Sequence, residues 1–226
     1  MAIARPSTKT NHAYLLIKDD ILEGRLAPGT RLRLSELAEN FETSEMPVRE
    51  ALRMLQQEGL VSFEDHRGAT VADLSMEELL EVIETRTYLE ILAVCLASPL
   101  HDAASLAELD GLVAKMASET SPQTYAALNH SFHLALYSPC TNTFLKREID
   151  RLWDRAWRRW SKSLYQLKPD RVALATDEHA KIVQALRAGD IAPLEAALRV
   201  HRERSLEAWR SLDGPSIGAL SVAATA

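Results

Sequence analysis

Along most of the chain apolar residues recur every three to four positions, the period of a helix with one buried face. Tyr14, Leu15, Ile17, Ile21 and Leu22 keep it from Asn11 to Leu26, until Gly24 and Ala27-Pro28-Gly29 form a turn. Ser35 is placed to cap a short helix over Glu36 to Phe41. Thr43 or Ser44 is placed to cap a third, with Val48, Leu52, Leu55 and Leu60 on or near one side and Pro47 in its first turn. After Gly59 the texture changes. Val61 to Glu64 and Ala69 to Ala72 read as two short strands around Asp65-His66-Arg67-Gly68. Three helices and a hairpin match a winged helix-turn-helix, although periodicity alone equally allows a helical module with an added hairpin.

From Ser75 onward no strand signal returns. Ser75 and Glu78 can form a capping box for a helix that carries Leu79, Val82, Ile83, Arg86 and Leu89 and ends near Pro99. Further helices are predicted over 104–118, 122–137, 143–167, 169–188 and 192–210. The fold class is therefore mainly α: a winged helix-turn-helix over 11–73, then an antiparallel helical bundle over 75–212. Residues 1–10 and 213–226 read as tails.

Three of the predicted helices place a histidine on the stripe meant to be buried. These are Asn129, Phe132, His133 and Leu136; then Ala175, His179, Ile182, Val183 and Leu186; then Leu194, Ala197, Leu198, His201 and Ser205. A buried imidazole without a partner costs about 1 to 3 kcal/mol, and a lone one is usually a hydrogen-bonded core residue. Three of them, with the Asn129 oxygen one turn before His133, form a three-nitrogen, one-oxygen set on facing helices, a way to hold zinc, nickel or manganese. A metal-free, hydrogen-bonded core is the alternative. Such a set also suits a metal-dependent small-molecule hydrolase, but Asp177 and Glu178, the acids next to His179, are expected to point off its face. Arg86, between Ile83 and Leu89, is the candidate clamp for a small carboxylate, with an internal ion pair to Glu90 or Glu84 as the other reading. Trp153, Trp157, Trp160 and Leu164 share a stripe interleaved with arginines and read as core.

Of the 226 residues 26 are Lys or Arg and 32 Asp or Glu, a net charge of -6, so bulk electrostatics do not gather a polyanion. Up to Asp73 there are 9 basic and 12 acidic residues, so DNA binding has to rest on local placement. Cys95 and Cys140 show no metal-ligand spacing and read as reduced core residues. Apolar runs such as Ile91 to Ala97 fall far short of the roughly 20 residues of a membrane span; a cytoplasmic protein is expected.

The residues Ile21-Leu22-Glu23-Gly24-Arg25-Leu26-Ala27-Pro28-Gly29-Thr30-Arg31-Leu32, Leu37-Ala38, Pro47-Val48-Arg49-Glu50-Ala51-Leu52, Glu58-Gly59-Leu60-Val61 and Arg67-Gly68-Ala69-Thr70-Val71 together resemble the GntR family of bacterial transcription regulators. Glu84-Thr85-Arg86, Leu89-Glu90, Asn129-His130-Ser131-Phe132-His133, Asn142, Leu145, Glu178-His179, Ile182, Gly189-Asp190 and His201 resemble the effector-binding domain of its FadR-like branch. The resemblance implies a homodimer that reads palindromic double-stranded operator DNA with the third helix in the major groove and the wing beside the minor groove. By motif position, Ser44, Arg49 and Arg53 on that helix, and His66, Arg67 and Gly68 at the wing tip, contact DNA. Arg31 and Arg33 contact phosphate, and Arg49 is the residue expected to read bases, unless it pairs with Glu45 or Glu50. The resemblance further implies a metal at Asn129, His133, His179 and His201, and a small carboxylate effector at Arg86 and Asn129 that causes derepression. Two departures stand out. Glu45-Met46 replaces the usual Arg-Thr, setting a carboxylate at the start of the reading helix, and Asn129 stands where many relatives have Asp.

Overall fold

The computed structural model describes residues 8–64, 68–156 and 162–212, which form two compact units, one up to Ser75 and one from Met76. In the first unit, α1 (Thr8–Leu22), α2 (Leu34–Asn40) and α3 (Glu45–Gln57) stand with β1 (Arg31–Leu32), β2 (Val61–Glu64) and β3 (Gly68–Val71). Helix α1 starts inside the expected tail because Thr10 is buried, and it stops at Leu22 where Gly24 adopts a φ of 77°, open to glycine without strain. Its buried stripe is Thr10, Ala13, Ile17 and Ile21; Leu15, expected on it, is exposed. Arg33, not Ser35, occupies the cap position of α2. The strand order is β1-β3-β2, all antiparallel. The two-residue β1, read from the sequence only as the approach to α2, pairs Arg31 with Thr70 and Leu32 with Ala69.

Val48, Ala51, Leu52 and Leu55 of α3 are fully buried against Ile17 and Ile21 of α1 and Val61, Ala69 and Val71 of the sheet. Glu58, just past α3, accepts from the Tyr14 hydroxyl at 2.7 Å and from Lys18 at 3.0 Å, which fixes α1 to the foot of α3. Val48, Leu52 and Leu55 face inward, so Arg49 and Arg53 are left on the exposed side.

The second unit is helical throughout its described residues: α4 (Met76–Ala97), a 3-10 turn at Ser98–Leu100, α5 (Ala103–Ser118), α6 (Pro122–Tyr137), α7 (Thr143–Ala156), α8 (Lys162–Leu167), α9 (Asp170–Ala188) and α10 (Ile191–Arg210). The single helix expected over 143–167 is thus described as α7 and α8. Asp102 and Ser121 cap α5 and α6 by accepting from the backbone N–H three residues on, and Gly189 closes α9 in the left-handed region. Helix α4 packs against α7, α10 and α6, and α9 against α10 and α5. Phe132, Leu136, Ala175, Ile182, Val183, Leu194 and Leu198 are buried, so the stripes that carry the histidines meet inside the bundle. No helix among the described residues is long and apolar enough to cross a membrane.

Candidate functional site

In the first unit Ser44 is the cap residue of α3, in extended conformation, and its side chain makes no capping hydrogen bond. The hydroxyl is thereby not spent on the first free N–H groups of α3, the kind of group that favours an anion at a helix N-terminus. Arg49 is exposed. Among the described residues it makes no ion pair, and Glu50, one of its two expected partners, instead faces Arg53 at 3.4 Å. Arg33 is held by Glu36 at 2.7 Å, and Arg31 stands exposed on β1. Gly68 opens β3 with a φ of 79°. His66 and Arg67 lie outside the described residues. Glu45 occupies the first turn of α3 and is exposed, four residues before Arg49 and on the same face.

In the second unit α6, α9 and α10 bring His133, His179 and His201 together. All three are buried, and one ligand atom from each lies within 4.8 Å of the others. His201 Nδ1 stands 2.8 Å from Glu178 Oε2; an ionised carboxylate only accepts, so this nitrogen carries the proton and Nε2 keeps its lone pair. Arg202 donates to His133 Nδ1 at 2.9 Å, which puts the His133 proton on Nε2, 3.3 Å from His201 Nε2. Two of the rings are therefore satisfied without a metal. His179 is not: neither of its ring nitrogens has a hydrogen-bond partner, and the buried Asn129 Oδ1 lacks one too. Orphaned donor atoms of this kind fit a divalent cation, and His133, His179, His201 and Asn129 are the residues that would hold it. Burial and the nearby His201 and Arg171 charges lower the His179 pKa well below its ordinary value, so the ring is neutral, as a ligand must be.

Charged residues surround this cluster. Burial alone would raise the Glu178 pKa, but hydrogen bonds from His201, Arg171 and Arg204 outweigh it and bring it down to about 2. Arg171 reaches Glu178 Oε2 at 2.5 Å and Ser205 at 3.1 Å. On the other side Glu90 contacts Arg202 directly and stands 3.2 Å from Arg86 Nε, without the alignment of a hydrogen bond. The Arg86 guanidinium lies 3.6 Å from the centre of the Trp153 ring, a cation–π contact. Burial lowers Arg86 to about 10, still charged at neutral pH. Arg86, Asn129, His133, His201 and Arg202 line a cavity of about 50 Å³ whose remaining wall is mostly apolar.

Several expectations change. Glu178 does not point off the site; it is buried and orients His201, because α9 packs on both α10 and α5 and so buries a wider arc than one stripe. The expected ion pair of Arg86 is with Glu90 and not Glu84, which lies 3.9 Å from Arg210. Arg171 and Arg202, both buried, carried no sequence signal beyond their spacing to Glu178 and His201. Trp153 is core, whereas Trp157 and Trp160 lie outside the described residues. Cys140 is buried and Cys95 only half-buried.

Residues 9–71 match the family of bacterial regulatory proteins, gntR family, and residues 81–204 match the FCD domain. The HTH-type transcriptional repressor GlaR of Escherichia coli (strain K12) is 30% identical over 201 residues, 83% of this chain and 90% of that protein. A probable D-xylose utilization operon transcriptional repressor of Paenarthrobacter nicotinovorans is 31% identical over 199 residues, 86% of each chain. Among solved structures, E. coli McbR/YncC superposes with a TM-score of 0.71 at 26% identity, covering 90% of this chain and 98% of the other. These domains and relatives are those of transcription regulators and not of enzymes, and the hydrolase alternative finds no support in them. With a DNA-binding winged helix-turn-helix followed by a helical FCD domain, the chain belongs to the GntR family of transcription regulators, in keeping with its FadR-like branch.

Proposed function

We propose that this is a cytoplasmic, homodimeric repressor whose FCD domain holds a divalent ion through His133, His179, His201 and Asn129 and releases its operator when a small carboxylate binds beside Arg86. His179 carries the reading, since both of its nitrogens are buried and unpartnered in a cluster where the other two imidazoles are satisfied. Three imidazoles and one amide oxygen suit zinc or nickel better than manganese. When bound, the ion supplies a Lewis-acid contact for a ligand carboxylate. The chain's own part is to position and to move a proton. Glu178 holds the His201 proton on Nδ1. His133 has to give up its Nε2 proton to become a ligand; once Arg202 releases Nδ1, Glu90 Oε2, 3.9 Å from that nitrogen, is the carboxylate that can accept from the other tautomer. Glu90 also holds Arg86 and Arg202, so loading the site acts on the same groups that meet the effector. The effector can act on DNA binding only by favouring one dimer geometry over another.

Metal content and operator release test this together. Purified protein is expected to contain close to one divalent ion per chain and His133→Ala none; equal content in both would remove this site. Arg86→Ala is expected to keep operator binding and to need at least tenfold more carboxylate for release, measured by gel shift with DNA flanking the gene. A normal response would return Arg86 to a purely structural ion pair.

The dimer reading is supported by Tyr88, Leu92 and Leu96, exposed at four-residue spacing on α4 with Leu100 one turn beyond, a stripe that water covers poorly. Leu92→Glu with Leu96→Glu is expected to give a monomer by light scattering. Operator affinity should fall by roughly 100-fold as the second half-site contact becomes intermolecular. An unchanged dimer mass would exclude this face.

A further inference from the structure

The chamber beside the histidines has a polar end and an apolar end, and the two differ sharply in what they can accept. Arg86, Asn129, His133, His201 and Arg202 converge at one end. Leu79, Ile83, Ala156, Leu164 and Trp209, which belong to one buried hydrophobic cluster, form the other together with Trp153 and Tyr165. Ser205, which also lines the cavity, already donates to the His201 carbonyl and accepts from Arg171, so its hydroxyl is committed. Beyond these residues only the Tyr165 hydroxyl and the indole N–H groups of Trp153 and Trp209 are polar, so most of the hydroxyl groups of a sugar acid, or the second carboxylate of a polyacid, would stay unpaired, at a cost of about 1 to 3 kcal/mol for each neutral group and more for a charge.

Charge points the same way. Among the described residues the buried charged groups are Arg86, Arg171, Arg202, Glu90 and Glu178, and arginine keeps its proton in proteins. One positive charge therefore has no buried counter-ion. Arg86 and Arg202 share Glu90, which leaves a guanidinium in want of an anion at the polar end. Size completes the description. At roughly 10 to 15 Å³ for each water-sized group, the cavity of about 50 Å³ accepts three to five such groups, a carboxylate the size of about two of them with one to three further carbons.

We infer that the acid taken by this chamber is a short-chain aliphatic monocarboxylate, its head among Arg86, Asn129 and Arg202 and its tail on Leu79, Ile83 and Leu164, and not a sugar acid or a polycarboxylate. The inference rests on the proposed effector site and narrows its ligand. Isothermal titration of the full-length, zinc-loaded protein with acetate, propionate, butyrate, hexanoate, gluconate and citrate tests it. Affinity is expected to rise roughly fourfold with each methylene from acetate to butyrate, following about 0.8 kcal/mol per buried CH₂, and to fall at hexanoate. Gluconate and citrate are expected to bind at least tenfold more weakly than butyrate. Leu164→Ala, which lengthens the apolar end, is expected to raise hexanoate relative to butyrate by at least fourfold; Ile83→Val, a smaller change, gives a weaker shift in the same direction if Leu164→Ala does not fold. A flat chain-length profile overturns the inference. So does gluconate or citrate binding tighter than butyrate in a manner abolished by Arg86→Ala, which would leave the carboxylate site itself standing. Failure of every acid to bind overturns both.

Discussion

Replacing Arg49 with alanine is expected to cost about 1 to 3 kcal/mol at each half-site, hence roughly 2 to 6 kcal/mol for a dimer on a palindrome, a loss of about thirtyfold to about 25,000-fold. The expectation follows from how differently the arginines of this unit are engaged. Arg53 and Arg33 already face Glu50 and Glu36 and have to leave those carboxylates before meeting DNA, so their substitution should cost less. Arg49 stands on the exposed face of α3 with no such partner among the described residues and would bring its full bonding capacity to a guanine edge. Glu45, one turn earlier, repels phosphate but can accept from a cytosine amino group, so the preferred operator should differ where that turn enters the groove. Fluorescence anisotropy with operator and scrambled duplexes at two salt concentrations separates the roles. A base-reading Arg49 loses affinity for the operator far more than for the scrambled duplex. A phosphate-contacting one weakens both alike and lowers the salt slope by about 1 for each half-site. An unchanged operator affinity would take Arg49 out of recognition.

What the sequence made legible was set by whether a residue's environment came from its own element. The period of α6, α9 and α10 is written in Asn129-Phe132-His133-Leu136, Ala175-His179-Ile182-Val183-Leu186 and Leu194-Leu198-His201, and the inward direction of each histidine follows from it. Gly24, Gly68 and Gly189 mark ends because their positive φ values are set locally. Burial of Glu178, Arg171, Glu90 and Arg202 was not legible, because a charged residue enters a core only when a partner on another element meets it. Glu178 on α9 meets His201 on α10, and Arg202 on α10 meets Glu90 on α4. Spacing hinted at two of these contacts, since Arg86 and Glu90 stand one turn apart and Arg171 and Glu178 two. The same spacing occurs in the exposed pairs Lys181 with Asp177 and Arg199 with Glu195, so it could not identify the buried ones. The two-residue β1 escaped for a similar reason. No alternation can be read in Arg31-Leu32, and only pairing with Thr70 and Ala69 makes them a strand.

Stability of the metal-free protein is expected to fall steeply below pH 6.5, and the sign follows from which state binds protons. His133 is held well below its ordinary pKa by burial and by the His201, His179 and Arg86 charges, and His179 by burial, His201 and Arg171. Burial and Arg86 bring His130 to about 4. In the unfolded chain each titrates near 6.5. As pH drops through that value the unfolded state takes up protons that the folded state refuses, so folding free energy is lost from 6.5 downward until the folded pKa values are reached. Three such groups give a slope of roughly 4 kcal/mol per pH unit, a large share of the 5 to 15 kcal/mol of a typical domain. Burial lowers His201 as well, with the Glu178 hydrogen bond opposing it, so its contribution has the same sign and a smaller size. Glu178, held at about 2, extends the loss below the ordinary carboxylate range. Saturating metal adds about 2.7 kcal/mol at 100 times its Kd and is itself lost on acidification, because protonated imidazoles cannot ligate. Urea denaturation in chelator at pH 7, 6 and 5 measures the slope, and His179→Leu isolates one member of the set. That variant should lower the slope by about 1.4 kcal/mol per pH unit, abolish stabilisation by metal, and be no less stable than the metal-free parent at pH 7, since it removes two buried nitrogens that had no partner. Equal stability of the chelated parent at pH 7 and pH 5 would mean that water reaches these rings and that the bundle does not hold them neutral for an ion.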